Sequence, residues 1–244
     1  MILDPKYSLV TGYPKAGNTW IGIMISYVIR PKEMIIGNVP MPNSRIFTHC
    51  IPRFNHVTTQ AMKIQVPGLL RNKRVILLVR HPGDILVSLY MHNVYREKYV
   101  LYSGSIDEMV YDKTFGLSKI FAYYQWWQNN LHEPQSIYLV KYEDLLENPF
   151  PILKNMLKTI GIYVDDKLIQ KAIKFSNFRH MQNMEKTNHL NWSSLHLPCS
   201  VHKNGLKVRK GKIGQYKIVY KSKTVDYINE MVNQHMLSTY GYTS

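Results

Sequence analysis

The chain places Thr11-Gly12-Tyr13-Pro14-Lys15-Ala16-Gly17-Asn18-Thr19-Trp20 between an apolar run and a helical pattern. Gly17 lets backbone come close to an anion. The free N–H groups of a first helical turn, and the helix dipole, favour negative charge there. Lys15 adds a full positive charge and Thr19 a hydroxyl. This is the chemistry of a phosphate-binding turn, although the spacing is not G-x-x-x-x-G-K-[ST]. An ordinary strand-to-helix turn that carries a lysine has the same local sequence. Arg80 ends a second apolar run, and Ser88 follows in a helix opened by Pro82. A guanidinium offers planar two-point binding to phosphate oxygens; a surface cation beside Asp84 is the plainer reading. Arg209-Lys210-Gly211 sets two cations and a glycine on one loop. That suffices for an anion clamp, and a solvated basic loop would hold the same residues. His49 is the candidate general base, because imidazole titrates near neutrality; a histidine that merely ends a strand is the alternative. Cys50 is poorly placed to act with it, since adjacent strand residues point to opposite faces.

These residues need a frame. Tyr7 to Gly12 reads as a buried strand. Ile21, Met24, Ile25 and Val28 recur at helical spacing directly after it. Arg45 to His49 is a short strand candidate, and Arg74 to Arg80 is the clearest buried strand. Pro82 suits the first position of a helix running towards His92. Leu117 to Leu131 is an aromatic-rich helix, Ser136 to Lys141 a further strand, and Phe150 to Ile160 a helix stopped by Gly161. Asp165 to Phe175 reads as helical, Asn183 to Gly214 as polar loop, and Lys223 to Tyr240 as a closing helix. Strand–helix units in series predict an α/β fold, a mostly parallel sheet flanked by helices, in a single domain over 1–244. Ligands of such sheets bind outside the carboxyl ends of the strands. Residues just after Gly12, His49, Arg80 and Lys141 are therefore expected to converge on one crevice.

Composition agrees. The 244 residues are 45% hydrophobic, 12% aromatic and 19% charged, which excludes disorder, collagen-like sequence and a long coiled coil. Two cysteines, Cys50 and Cys199, exclude a disulfide framework and a zinc ribbon. Thirty-one Lys and Arg against sixteen Asp and Glu leave a net charge of +15, which favours an anionic partner. No signal peptide or membrane span is visible near the N-terminus, so the protein is expected to be cytoplasmic.

Pro-Lys-x-Gly-x-Thr-Trp after a first strand resembles the signature of sulfotransferases that use 3′-phosphoadenosine 5′-phosphosulfate (PAPS). Three further elements follow in the family's order. Arg80-His81-Pro82-Gly83-Asp84 with Ser88 resembles the R-x-P-x-D-x-x-x-S element that holds the nucleotide 3′-phosphate. Tyr142-Glu143-Asp144-Leu145 with Glu147-Asn148-Pro149 resembles Y-E-D-L…E-N-P. Arg209-Lys210-Gly211-Lys212-Ile213-Gly214 resembles the late R-K-G-x-x-G loop, although the usual Asp-Trp-Lys after it is Gln215-Tyr216-Lys217 here. The resemblance implies a P-loop-like turn and PAPS as co-substrate, with no metal. It implies cofactor contacts from Lys15, Ala16, Gly17, Asn18, Thr19, Trp20, Arg80, Ser88, Tyr142, Arg209, Lys210 and Gly211. Ser176-Asn177-Phe178 resembles a T/S-x-F element, which adds Ser176 and Phe178 beside the adenine.

The implied activity is in-line sulfuryl transfer to a hydroxyl or amine. Positioning and charge stabilisation dominate such a reaction. By the same resemblance, Lys15 is expected to stabilise the leaving phosphate and Ser88 to touch the 3′-phosphate and Lys15. Thr48-His49-Cys50-Ile51-Pro52 resembles the K-x-H-x-P element whose histidine is the base. The family often carries lysine two residues before that histidine, in contact with the sulfuryl group; here the position is Phe47, with Arg45 the nearest upstream cation. His56, His81, His92, His189, His196 and His202 are fallback bases. Tyr95, Tyr99, Tyr102, Tyr123, Tyr124, Trp126 and Trp127 could line an acceptor pocket, though at these spacings most are expected in the core. The acceptor is a small molecule or glycan. Neither nucleic acid nor membrane is expected as a partner. Thr224-Val225 resembles part of a family dimer motif, but Lys221 and Glu230 are each one position out, so a homodimer is possible without support. A phosphate-loop nucleotide kinase would show G-K-[ST] and acidic metal ligands. A basic nucleic-acid-binding protein would show a clustered basic stripe.

Overall fold

Among the described residues four strands, β1 (Ser8–Gly12), β2 (Phe47–Thr48), β3 (Arg74–Val79) and β4 (Ser136–Lys141), form one parallel sheet in the order β2-β1-β3-β4. The computed structural model describes residues 8–36, 47–48, 68, 70–96, 101–190 and 203–242. β1 and β3 occupy the middle and are almost wholly buried, which is why they read as unbroken apolar runs. Their register sets Gly12 opposite Leu78. The chain leaves β1 for one side of the sheet and takes up β3 on the other. The carboxyl ends of β1 and β3 therefore flank the switch point, where such sheets bind ligands.

The helices are α1 (Asn18–Ile29), α2 (Pro31–Ile36), α3 (Pro82–Tyr95), α4 (Ile106–Tyr111), α5 (Leu117–Asn130), α6 (Tyr142–Glu147), α7 (Pro149–Thr159), α8 (Asp166–Phe175), α9 (Phe178–Lys186), α10 (Tyr216–Val219) and α11 (Ser222–Tyr240). The α/β expectation holds: helices pack against a parallel sheet. α3 starts at Pro82 with His81 as its cap; His81 Nδ1 accepts from the Gly83 N–H at 3.2 Å. α7 ends at Gly161, whose φ of 79° turns the chain out of the helix. One expectation is overturned. Asn183 to Lys186 is not loop but the last part of α9, a polar helix capped by the Asn177 side chain on the His180 N–H at 2.9 Å.

α5 lies under the switch point. Tyr123, Tyr124 and Trp127 are buried in the core, as expected for aromatics at that spacing. The Tyr124 hydroxyl accepts from the Arg80 N–H at 3.1 Å, donates to the Arg80 carbonyl at 3.2 Å, and so fixes the end of β3. Thr224, from the dimer-like motif, is buried; its hydroxyl donates to Asp107 at 2.6 Å and ties α11 to α4. Among the described residues no helix is long and apolar enough to cross a membrane.

Candidate active site

At the switch point the turn between β1 and α1 is built from the inside. Asn18 Nδ2 donates to the carbonyls of Gly12 and Tyr13, each at 3.1 Å, and the Ala16 N–H donates to the Tyr13 carbonyl at 3.0 Å. Lys15 takes a left-handed φ of 72°, and its carbonyl accepts from Arg80 Nη1 at 3.1 Å. This bond joins the loop after β1 to the end of β3. Gly17 caps α1 with φ 116°, and no side chain caps that end; its first turn carries no acid. The positive end of α1 is thus left for an external anion. A Cβ on Gly17 would stand 2.8 Å from Tyr142 Cδ2, so glycine is required both for conformation and for space.

A cavity of about 430 Å3 opens here, in the size range of small-molecule sites. From the first turn, Lys15, Gly17, Asn18, Thr19 and Trp20 line it. Arg80 and Ser88 line it from the β3–α3 unit, and Tyr142 from the start of α6. Ser176 and Phe178 come from either side of the α8–α9 junction, and Arg209, Lys210 and Gly211 from the late loop. Ala16 lies apart: it is fully buried, with its N–H turned inward onto Tyr13. His49 lies outside the described residues, as do Tyr99, His56, His196 and His202. Of the fallback histidines, His92 lines the cavity. His81 is occupied as a helix cap stacked on Tyr216, and burial, then Lys217 and Arg80, lower its pKa to about 4. His189 meets the Met34 carbonyl at 3.4 Å.

Tyr142 is the hub of the aromatic wall. Trp20 meets it edge-on at 5.7 Å, and the Arg80 guanidinium lies 4.2 Å from its ring centroid. Arg80 Nε and Trp20 Nε1 are buried without a protein partner among the described residues. Two unsatisfied donors on a cavity wall suit an anionic, heteroaromatic ligand.

The late loop is held at both ends by buried carboxylates. Asp84 accepts from the N–H groups of Gly214 at 2.8 Å and Tyr216 at 3.1 Å. Glu185, fully buried on α9, accepts from the N–H groups of Lys207 at 2.7 Å and Val208 at 2.8 Å, and pairs with Arg96. Between these anchors, Gly211 takes φ 59° against Phe178; a Cβ there would stand 2.6 Å from Phe178 Cδ2. Sequence reasoning missed Glu185, Arg96 and Lys207, and gave Asp84 no role in the loop. The Asn177 cap, with Met181, Met184 and Glu185 at helical spacing, was the available signal for α9.

Two cations of the cavity lining are held below their ordinary pKa, and Arg80 acts on both. Lys15 sits well below its ordinary pKa through burial, then Lys207 and Arg96, with Glu185 opposing and Arg80 adding to the fall. Arg209 is lowered by burial and by Arg80, with Asp84 opposing. Guanidinium nevertheless stays protonated. Both cations favour an anion, and both line the same cavity.

The profile of the sulfotransferase domain matches residues 5–239. The flavonol 3-sulfotransferase of Flaveria bidentis is 23% identical over 96% of this chain and 83% of its own. Sulfotransferase 1E1 of Bos taurus is 24% identical over 87% of this chain and 77% of its own. Among solved structures, retinol dehydratase in complex with androsterone and inactive cofactor PAP superposes with a TM-score of 0.67 at 16% identity, covering 100% of this chain and 84% of that one. Mouse sulfotransferase SULT7A1 complexed with PAP gives 0.64 at 16% identity, over 98% of this chain and 88% of that one. The chain belongs to the sulfotransferase domain family, and its activity is sulfuryl transfer from PAPS.

Proposed function

We propose that the cavity binds PAPS across two charge centres, with Lys15 and the first turn of α1 at the 5′-phosphosulfate and Arg80, Ser88, Arg209, Lys210 and Gly211 at the 3′-phosphate. The observation that carries this reading is the convergence of three sequence-distant basic segments on one cavity, joined by the Lys15–Arg80 bond. Trp20, Tyr142, Ser176 and Phe178 form the adenine side. PAPS supplies the sulfuryl group. Gly17, Asn18 and Thr19 orient its 5′ end, and Lys15 stabilises charge that gathers on the leaving phosphate as the bond from sulfur to bridging oxygen breaks.

His49 takes the proton of the acceptor hydroxyl as its oxygen bonds to sulfur. His92 is the second candidate, because it lines the described cavity. The acceptor is a small molecule with a hydroxyl. The names of the flavonol sulfotransferase and the androsterone-bound neighbour support that class. The protein works as a single domain over 1–244 in the cytoplasm.

The test measures PAP affinity and PAPS turnover against a panel of phenols and alcohols. Lys15→Ala weakens both. His49→Ala keeps PAP affinity and loses turnover, whereas His92→Ala keeps both. Turnover of His49→Ala near the parent level across about pH 6–9, around the ordinary imidazole range, removes His49 as the base.

A further inference from the structure

Lys207 stands outside every role assigned above. It lines the same cavity as Lys15 and is half-buried. Its backbone is fixed to an unusual degree for a loop residue. Glu185 accepts its N–H at 2.7 Å and that of Val208 at 2.8 Å, Gln182 Nε2 donates to the Val208 carbonyl at 3.0 Å, and Arg96 Nη1 donates to the Gly205 carbonyl at 3.0 Å. Glu185 and Arg96 are both buried and form an ion pair, so their charges offset one another. Lys15 and Lys207 are then two ammonium groups of the same sign on one partly dehydrated wall. Lys207 is the largest charge acting on Lys15. Such a pair costs the ligand-free fold stability and is relieved by an anion between its members.

We infer that Lys207 is a second cation for the 5′ end of the nucleotide, set beside Lys15 by the buried Glu185–Arg96 pair. Arg209, two residues on, lines the same cavity with Arg80 and Asp84, which both act on its charge. The segment 207–209 thus gives one cation to each end of the ligand. This inference rests on the reading that the cavity binds the nucleotide.

Calorimetric titration with adenosine 3′,5′-bisphosphate (PAP), adenosine 3′-monophosphate and adenosine tests it. Lys207→Met keeps the backbone N–H and most of the side-chain stem. It should weaken PAP about tenfold or more, the size of one charge-assisted contact, and leave the 3′-monophosphate within about twofold. Lys207→Gln should behave alike, and Lys207→Arg should recover most of the PAP affinity. Unchanged PAP affinity in both neutral variants overturns the inference, as does equal loss for PAP and the 3′-monophosphate. Unfolding temperatures of the neutral variants, expected at or above the parent's because the like-charge pair is gone, show that the loss is not one of folding. A parent protein that binds PAP no better than adenosine overturns the nucleotide reading itself, and so separates the two failures.

Discussion

Asp84, on the buried face of α3, receives the backbone N–H of Gly214 at 2.8 Å across 130 positions of sequence. It also receives that of Tyr216 at 3.1 Å, and it stands 3.9 Å from Arg80 Nη2. One carboxylate therefore orients the guanidinium at the end of β3 and closes the loop that carries Arg209 and Lys210. Its acceptor capacity is committed to the protein.

Asp84→Asn keeps one acceptor oxygen and turns an NH2 towards the other of the two N–H donors. An unsatisfied buried donor costs about 1–3 kcal/mol. For a chain of this size that lowers the unfolding temperature by roughly 2–12 °C. On the proposed reading the loop holds the 3′-phosphate, so PAP affinity should fall more than affinity for adenosine 5′-monophosphate. A variant with a parental unfolding temperature and parental PAP affinity contradicts this role for Asp84.

Gly211→Ala tests the loop's turn. The φ of 59° costs a residue with a Cβ about 1–2 kcal/mol, and the new methyl meets the Phe178 ring. PAP affinity is expected to drop about tenfold, the equivalent of 1.4 kcal/mol. Adding Phe178→Ala removes the clash but not the backbone strain, and it also takes away a ring of the proposed adenine side, so the double variant should recover only part of the lost unfolding temperature and should not recover PAP affinity. Full recovery of the unfolding temperature would assign the whole effect to the ring.

Lys15 makes binding pH-dependent. Burial, Lys207 and Arg96 hold its pKa down in the ligand-free fold. An anion at the turn raises it again. PAP binding should therefore take up a proton, and affinity should fall as pH rises between the free and bound values. The ligand-free fold has the opposite slope: the unfolded chain holds this proton more tightly, so stability rises with pH over the window from the lowered pKa to the ordinary lysine value. Calorimetry in two buffers of different ionisation enthalpy reads the uptake directly, and Lys15→Met should abolish it. Equal apparent enthalpies in both buffers across about pH 7–10 would contradict the assignment.

Arg96 and Glu185 form the other anchor. Arg96→Met leaves a fully buried carboxylate without its charge partner, a loss of about 3–5 kcal/mol. The unfolding temperature should fall by roughly 6–20 °C. The double variant Arg96→Met, Glu185→Gln should be more stable than Arg96→Met alone. If it is less stable than the single variant, the pair is not the source of the loss.

The sheet was legible because its strands are chemically plain. RVILLV at 74–79 is an apolar run that ends in charge, and Pro82 marks the helix start two residues later. The phosphate-binding turn was legible because glycine, lysine and a following apolar helix announce it together. α9 was not. Its sequence FRHMQNMEK shows only two apolar inward residues, and one of its buried positions is a glutamate. Whether Glu185 faces water or a loop is decided by α3 and the segment 205–208, which lie far away in sequence. Lys207 was hidden for a related reason. In a Lys-rich stretch nothing local distinguishes the lysine that enters a cavity from those that stay in solvent.

The central claim is that one cavity reads two phosphates on one nucleoside. The most direct measurement is thermal unfolding of the parent protein with PAP, adenosine 5′-monophosphate, adenosine 3′-monophosphate and ATP at equal concentrations. At about 100 times Kd a specific ligand adds about 2.7 kcal/mol. That predicts a rise of roughly 5–10 °C with PAP and a clearly smaller rise with either monophosphate. ATP matching PAP would mean that charge alone is being read, and would contradict the two-centre site.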